Sequence, residues 1–141
     1  MQVTRKLEFD AGHRVMNHES KCATPHGHRY IVEVSARPND GLDDIGRVID
    51  FSVLKDKLGT WIDRHWDHTM IIWEQDHQMI SSAMMAPKSK EPWISPWNPT
   101  AENMADYLLH DLCPVLFAET KVTIFKIKIW ETPNCYAEVE L

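Results

Sequence analysis

With 141 residues, 43% of them hydrophobic and 26% charged, the chain has the length and composition of one globular domain spanning residues 1–141. A formal charge of −6 with no basic run argues against nucleic acid as a partner, because phosphate contacts demand clustered Lys and Arg. No apolar stretch approaches the ~20 residues a membrane span needs, the start MQVTRKLEFD lacks a signal-peptide core, and three irregularly spaced cysteines fit a reducing compartment, so a cytoplasmic protein without a membrane partner is expected.

From Gln2 to Phe9, the residues Val3, Leu7 and Phe9 share one phase, which predicts a strand with a mostly buried face. The polar stretch DAGHRVMNHESKCATP follows as a loop too long for a plain hairpin. Tyr30 to Ala36 reads as a second strand with Val32, Val34 and Ala36 on one side. Asn39-Asp40-Gly41 signals a turn. Beyond it Leu54, Leu58, Trp61 and Ile62 recur at helical spacing behind a cap from Asp50 or Ser52. Trp73 to Trp97 holds three prolines and three tryptophans without a clean period and is expected to be a long loop, residues 73–98, of the kind that forms lids or interfaces.

A second helix begins after its natural N-cap Thr100, with Met104, Leu108, Leu109 and Leu112 as its stripe, and Pro114 weakens its end. VTIFKIKIW, Val122 to Trp130, alternates strongly, and Tyr136 to Leu141 forms a last strand after the Pro133-Asn134 turn. The expectation is an α+β fold: a four-stranded antiparallel sheet with two helices inserted between its second and third strands. Such a sheet leaves two open edges, which invite closure by further copies of the chain.

Eight histidines direct attention to where they sit. His26 and His28 are two apart at a strand start, so both imidazoles point to one face and can bind one ion, and His13, just past the first strand, can come alongside. Cys22 would then be a fourth ligand closing the site or a free thiolate beside it, the latter favoured by Lys21 and by a nearby cation. Asp67-His68 can act as a carboxylate and imidazole relay, with Asp63 and His65 as a rival pair. Glu131, at the end of the strongest strand, is placed to bind a guanidine-like edge such as that of a pterin or guanine.

In order along the chain stand FDAGH (Phe9 to His13), CATPHGH (Cys22 to His28), VIDFSVLK (Val48 to Lys55), WDH (Trp66 to His68), NPTAEN (Asn98 to Asn103) and ETPNCYA (Glu131 to Ala137). Together they resemble the tunnel-fold pterin enzymes, the family of 6-pyruvoyl- and 6-carboxy-tetrahydropterin synthases. The three residues between Cys22 and His26 are similar to the bacterial 6-carboxy branch of queuosine biosynthesis. The resemblance implies zinc (Zn2+) on His13, His26 and His28, Cys22 as catalytic base, Asp67 and His68 as proton relay, Glu131 as pterin anchor, and Thr100 and Glu102 in a secondary pocket segment.

It further implies a lyase acting on 7,8-dihydroneopterin triphosphate, giving 6-carboxy-5,6,7,8-tetrahydropterin with acetaldehyde and triphosphate. A homohexamer, a dimer of trimers with sites at subunit interfaces, comes with it. Two alternatives stay open: a 6-pyruvoyl-tetrahydropterin synthase that retains the side chain, and a non-catalytic zinc-binding interaction module in which Cys22 closes the metal site. Trp66 stands where the family usually has leucine.

Overall fold

The computed structural model describes residues 1–141. In chain order the elements are β1 (Val3–His13), β2 (His26–Pro38), α1, β3 (Thr69–Trp73), α2 (His77–Met85), β4 (Trp93–Ser95), α3, β5 (Val122–Thr132) and β6 (Cys135–Glu140). Helix α1 runs through Phe51–Leu54, a wide π turn at Lys55–Gly59, and Thr60–His65. Helix α3 runs through Ala101–Tyr107, a second π turn at Leu108–Leu112, and Cys113–Leu116.

The strands form one sheet in the order β4-β3-β1-β2-β5-β6. β1 with β2, β2 with β5, and β5 with β6 pair antiparallel, whereas β3 joins β1 and β4 joins β3 in parallel. The four-stranded antiparallel sheet expected from alternation is therefore part of a mixed six-stranded one, and three helices stand where two were expected. Both corrections come from residues 66 to 98. TMIIW is a short apolar run with no period of its own, β4 has only three residues, and α2 buries none of its side chains and so shows no apolar stripe. The expected loop at 73–98 is in part a β-α-β unit.

Alternation worked where one sheet face is buried. Leu7, Phe9 and Ala11 of β1, Tyr30, Val32, Val34 and Ala36 of β2, and Ile127 and Ile129 of β5 share the covered face. Leu54, Leu58 and Ile62 of α1 and Met104, Leu108 and Leu109 of α3 close over it, all at most 1% exposed, giving one cluster of 24 buried residues. At about 1.5–3 kcal/mol for each large side chain buried, this cluster is the main stabilising term. Asp50 caps α1 by accepting from the Ser52 N–H, and Thr100 caps α3 by accepting from the Asn103 N–H. Pro114 does not end α3: the preceding π turn carries the helix into Pro114, with Cys113 N–H donating to Leu108 O.

Trp66 is fully buried. Its ring packs on Phe9 at 5.8 Å and meets Trp61, Trp93 and Tyr107, and Trp97 stacks on Trp93 and Tyr107. Trp93 and Trp97 thus anchor the 73–98 segment to the core. Its second anchor is ionic: Arg14 donates Nε and Nη2 to the two Asp76 carboxylate oxygens, each at 2.6 Å, and Asp76, 2% exposed, also caps α2 through the Met79 N–H.

The Arg14 hydrogen bonds hold the Asp76 carboxyl below the usual carboxylate range, against the opposing effect of burial. A depressed carboxylate contributes stability above its unfolded value, near ~3.9, and loses it as the pH falls through the folded one. Asp76→Ala is therefore expected to cost about 3 kcal/mol at pH 7, by urea unfolding. The wild-type advantage over the variant should shrink as unfolding is repeated at progressively lower pH, below the ordinary carboxylate range. A difference independent of pH would contradict this account of the pair.

Candidate active site

Along β1 and β2 the register runs unbroken from Val3 opposite Ala36 to His13 opposite His26, with Ala11 opposite His28. His13 is therefore the last residue of β1 and not a loop residue past its end. Paired residues share a face, so His13, His26 and His28 stand together at the end of the covered face, beside Tyr30. Ala11, small and across from His28, leaves room for the rings.

Their donor atoms lie within 4.8 Å of one another: His13 Nε2 is 3.2 Å from His26 Nε2, which is 3.0 Å from His28 Nε2. His13 Nδ1 donates to the Pro99 carbonyl and His26 Nδ1 to the Thr24 carbonyl, each at 2.6 Å. Those carbonyls can only accept, so both Nδ1 atoms carry the proton, which leaves Nε2 of each ring as the atom that can ligate a cation. Burial, and then the neighbouring His26 and His28, bring His13 down to about 4 despite the Pro99 carbonyl, and His28 is lowered by burial and by His26. Convergent imidazoles whose spacing approaches the ~3.3 Å edge of a tetrahedron of zinc-bound nitrogens fit a metal ion.

Glu131 lies at the rim of this triad, with Oε1 3.5 Å from His28 Nε2. Burial raises its carboxyl above the usual range, His26 opposes that, and Glu102 adds to it. Glu102 sits in the first turn of α3, where the helix dipole favours a carboxylate, next to Thr100, whose hydroxyl caps the helix. The hydroxyl of Tyr30 is buried here without a partner.

Cys22 lies half-buried in the single turn Lys21–Ala23, and its carbonyl accepts from the Val15 N–H at 2.8 Å. Its sulfur is not among the donor atoms that cluster in the triad. Asn98 holds the same loop, accepting from the Met16 N–H at 3.0 Å and donating to the Met16 carbonyl at 2.9 Å.

Asp67 and His68 gather elsewhere. Asp67 Oδ1 accepts from the Asp10 N–H at 2.9 Å, His68 Nδ1 is 2.8 Å from Asp67 Oδ2, and His68 N–H donates to Asp10 O at 2.7 Å. Burial alone would raise Asp67, but the Asp10 amide, His68 and Lys90 together hold it below the usual carboxylate range. Asp10 alternates with the inward Phe9 and Ala11, so its carboxylate lies on the opposite face of the sheet, bound to Arg29 at 2.8 Å. The Asp10 carboxylate, Asp67 and His68 thus gather on the face away from the triad's rings, and one cavity is lined by residues of both groups, His68 as well as His26 and His28. The rival His65 stacks on Trp61 at 4.7 Å instead. Asp10, Arg14, Lys90, Asn98 and the Pro99 carbonyl went unread in the sequence, and only FDAGH and NPTAEN, as quoted motifs, marked three of them.

A family profile described as 6-pyruvoyl tetrahydropterin synthase matches residues 2–141. The chain is 40% identical over 139 residues to the 6-carboxy-5,6,7,8-tetrahydropterin synthase of Rickettsia conorii, covering 99% of each chain. It is 28% identical over 142 residues to the protein of the same name from Haemophilus influenzae, covering 99% of this chain and 98% of that one. Among solved structures, an uncharacterized protein from Wolinella succinogenes matches with a TM-score of 0.82 at 23% identity, over 99% of this chain and 97% of that one. The 6-pyruvoyl tetrahydropterin synthase of Caenorhabditis elegans matches at 0.67 and 21% identity, over 100% and 95%. At such identities the structures show the shared fold.

Proposed function

Because the chain belongs to the 6-pyruvoyl tetrahydropterin synthase family of enzymes, we propose that it converts 7,8-dihydroneopterin triphosphate and water to 6-carboxy-5,6,7,8-tetrahydropterin, acetaldehyde and triphosphate. The observation that carries the reading is the triad of convergent imidazoles with a half-buried carboxylate at its rim. His13, His26 and His28 would hold zinc. When bound, the ion supplies Lewis acidity that makes the protons of the substrate's side-chain hydroxyls easier to remove.

The chain's own residues do the rest. Glu131 accepts hydrogen bonds from the guanidine-like edge of the pterin and so fixes the ring relative to the triad. Thr100 and Glu102 border that anchor. Cys22, which stays off the metal, takes a proton from the side-chain carbon next to the ring. Asp67 fixes the His68 ring by accepting from Nδ1, which leaves the Nε2 lone pair to take up and release a proton at the other side of the substrate.

The placement of Asp67-His68 on the face away from the triad's rings supports sites completed by a neighbouring copy. A homohexamer built as a dimer of trimers would also close the outer edges of β4 and β6. No helix is long and apolar enough to cross a membrane. The three residues between Cys22 and His26, together with the names of the curated relatives, support the 6-carboxy product over the 6-pyruvoyl one. Acetaldehyde release from dihydroneopterin triphosphate is the test.

A further inference from the structure

We propose that Lys90 is a positioning residue for the Asp67-His68 pair. Its effect on turnover rests on the relay role assigned above, whereas its effect on the pair's geometry does not. Helix α1 ends with both the Trp66 and the Asp67 N–H donating to the Ile62 carbonyl, at 2.8 and 2.9 Å. The Asp63 carbonyl is thereby left without its backbone donor. Lys90 Nζ reaches across from the other side of β3 and donates to Asp63 O at 2.7 Å and to Asp67 O. An ammonium at the negative end of a helix is in its favoured place.

The chain then turns through His68 at φ +55°, the left-handed region that a side chain enters at a cost of roughly 1 kcal/mol. Such a conformation persists only when its surroundings over-determine it. On one side the main chain of Asp10 binds His68 N–H and the Asp67 carboxylate. On the other, Lys90 holds the Asp67 carbonyl, and Thr69 Oγ1, one residue past the turn, donates to Glu91 O at 3.2 Å. The parallel pairing of Ile71 with Trp93 sets the distance between the two segments. Lys90, His68 and Asp10 line one cavity of about 750 Å³, so the clamp stands where His68 would meet a substrate. The long 73–98 segment therefore supplies a part of the relay's support.

The test uses the full-length zinc-loaded protein with Lys90→Met and Lys90→Arg, reading the His68 ring by nitrogen NMR, assigned by its loss in His68→Gln, alongside steady-state kinetics. Wild type should show one tautomer, protonated at Nδ1. Lys90→Met should show mixed tautomers and a kcat about tenfold lower, with KM within about twofold and zinc content unchanged. Lys90→Arg, which keeps the charge and the donors, should restore both. If Lys90→Met fails to fold, Lys90→Gln is read the same way. An unchanged tautomer in the folded variant overturns the proposal, whatever happens to kcat. A mixed tautomer with undiminished kcat leaves the positioning intact and removes the relay role instead.

Discussion

Replacing Cys22 with alanine lowers kcat on the order of 10³-fold while the zinc content and melting temperature stay near those of wild type. Two observations lead to this outcome. The Cys22 sulfur lies outside the cluster of candidate donor atoms formed by His13, His26 and His28, so its removal takes nothing from the triad. The loop that carries it is held by main-chain and Asn98 contacts, Val15 N–H to Cys22 O and Asn98 to both main-chain groups of Met16, none of which needs the thiol. A half-buried side chain in a single turn also leaves little cavity behind when truncated. A zinc-binding interaction module makes the opposite forecast, since with Cys22 as fourth ligand the alanine variant would lose metal and fold together. Metal analysis of the purified variant beside its melting curve separates the two.

His26→Ala should abolish turnover and lower zinc affinity by more than the ~100-fold that losing a hydrogen-bonding partner of a metal ligand can cost. His26 is the central member of the triad, with its Nε2 facing those of both His13 and His28. Without it the two remaining imidazoles cannot surround an ion, and the His13 lone pair loses the neighbour across from it. The apo variant should nevertheless fold, because the buried cluster beneath the site draws on Phe9, Tyr30, Met104 and Leu108 and not on His26. Zinc titration with competing chelator, together with a far-ultraviolet spectrum, reads both parts. Wild-type affinity in the variant would remove the triad as the metal site.

How much of this was legible in the sequence follows from which residues bury a repeating face. β1, β2, β5 and β6 and the stripes of α1 and α3 announce themselves because one side of each meets the core. β3 and α2 do not: TMIIW has no alternation to read, and no residue of α2 is buried. His13 was expected past the strand end because the apolar phase was followed only to Phe9 and DAGH was read as loop, yet β1 continues as long as its partner does, to His26.

The clustering of the three histidines was legible because two of them stand two apart on a strand. What commits their protons, the carbonyls of Pro99 and Thr24, is main chain and leaves no mark on residue type. Asp67 binds an amide 57 positions away through a parallel strand contact, and Lys90 acts from a segment without period. Tertiary juxtapositions of this kind have no local signal.

The most direct measurement of the central claim gives the zinc-loaded protein 7,8-dihydroneopterin triphosphate and quantifies acetaldehyde, triphosphate and the pterin product together. Equimolar acetaldehyde and triphosphate with 6-carboxy-5,6,7,8-tetrahydropterin is the result predicted here. Triphosphate release with a 6-pyruvoyl product and no acetaldehyde would contradict it.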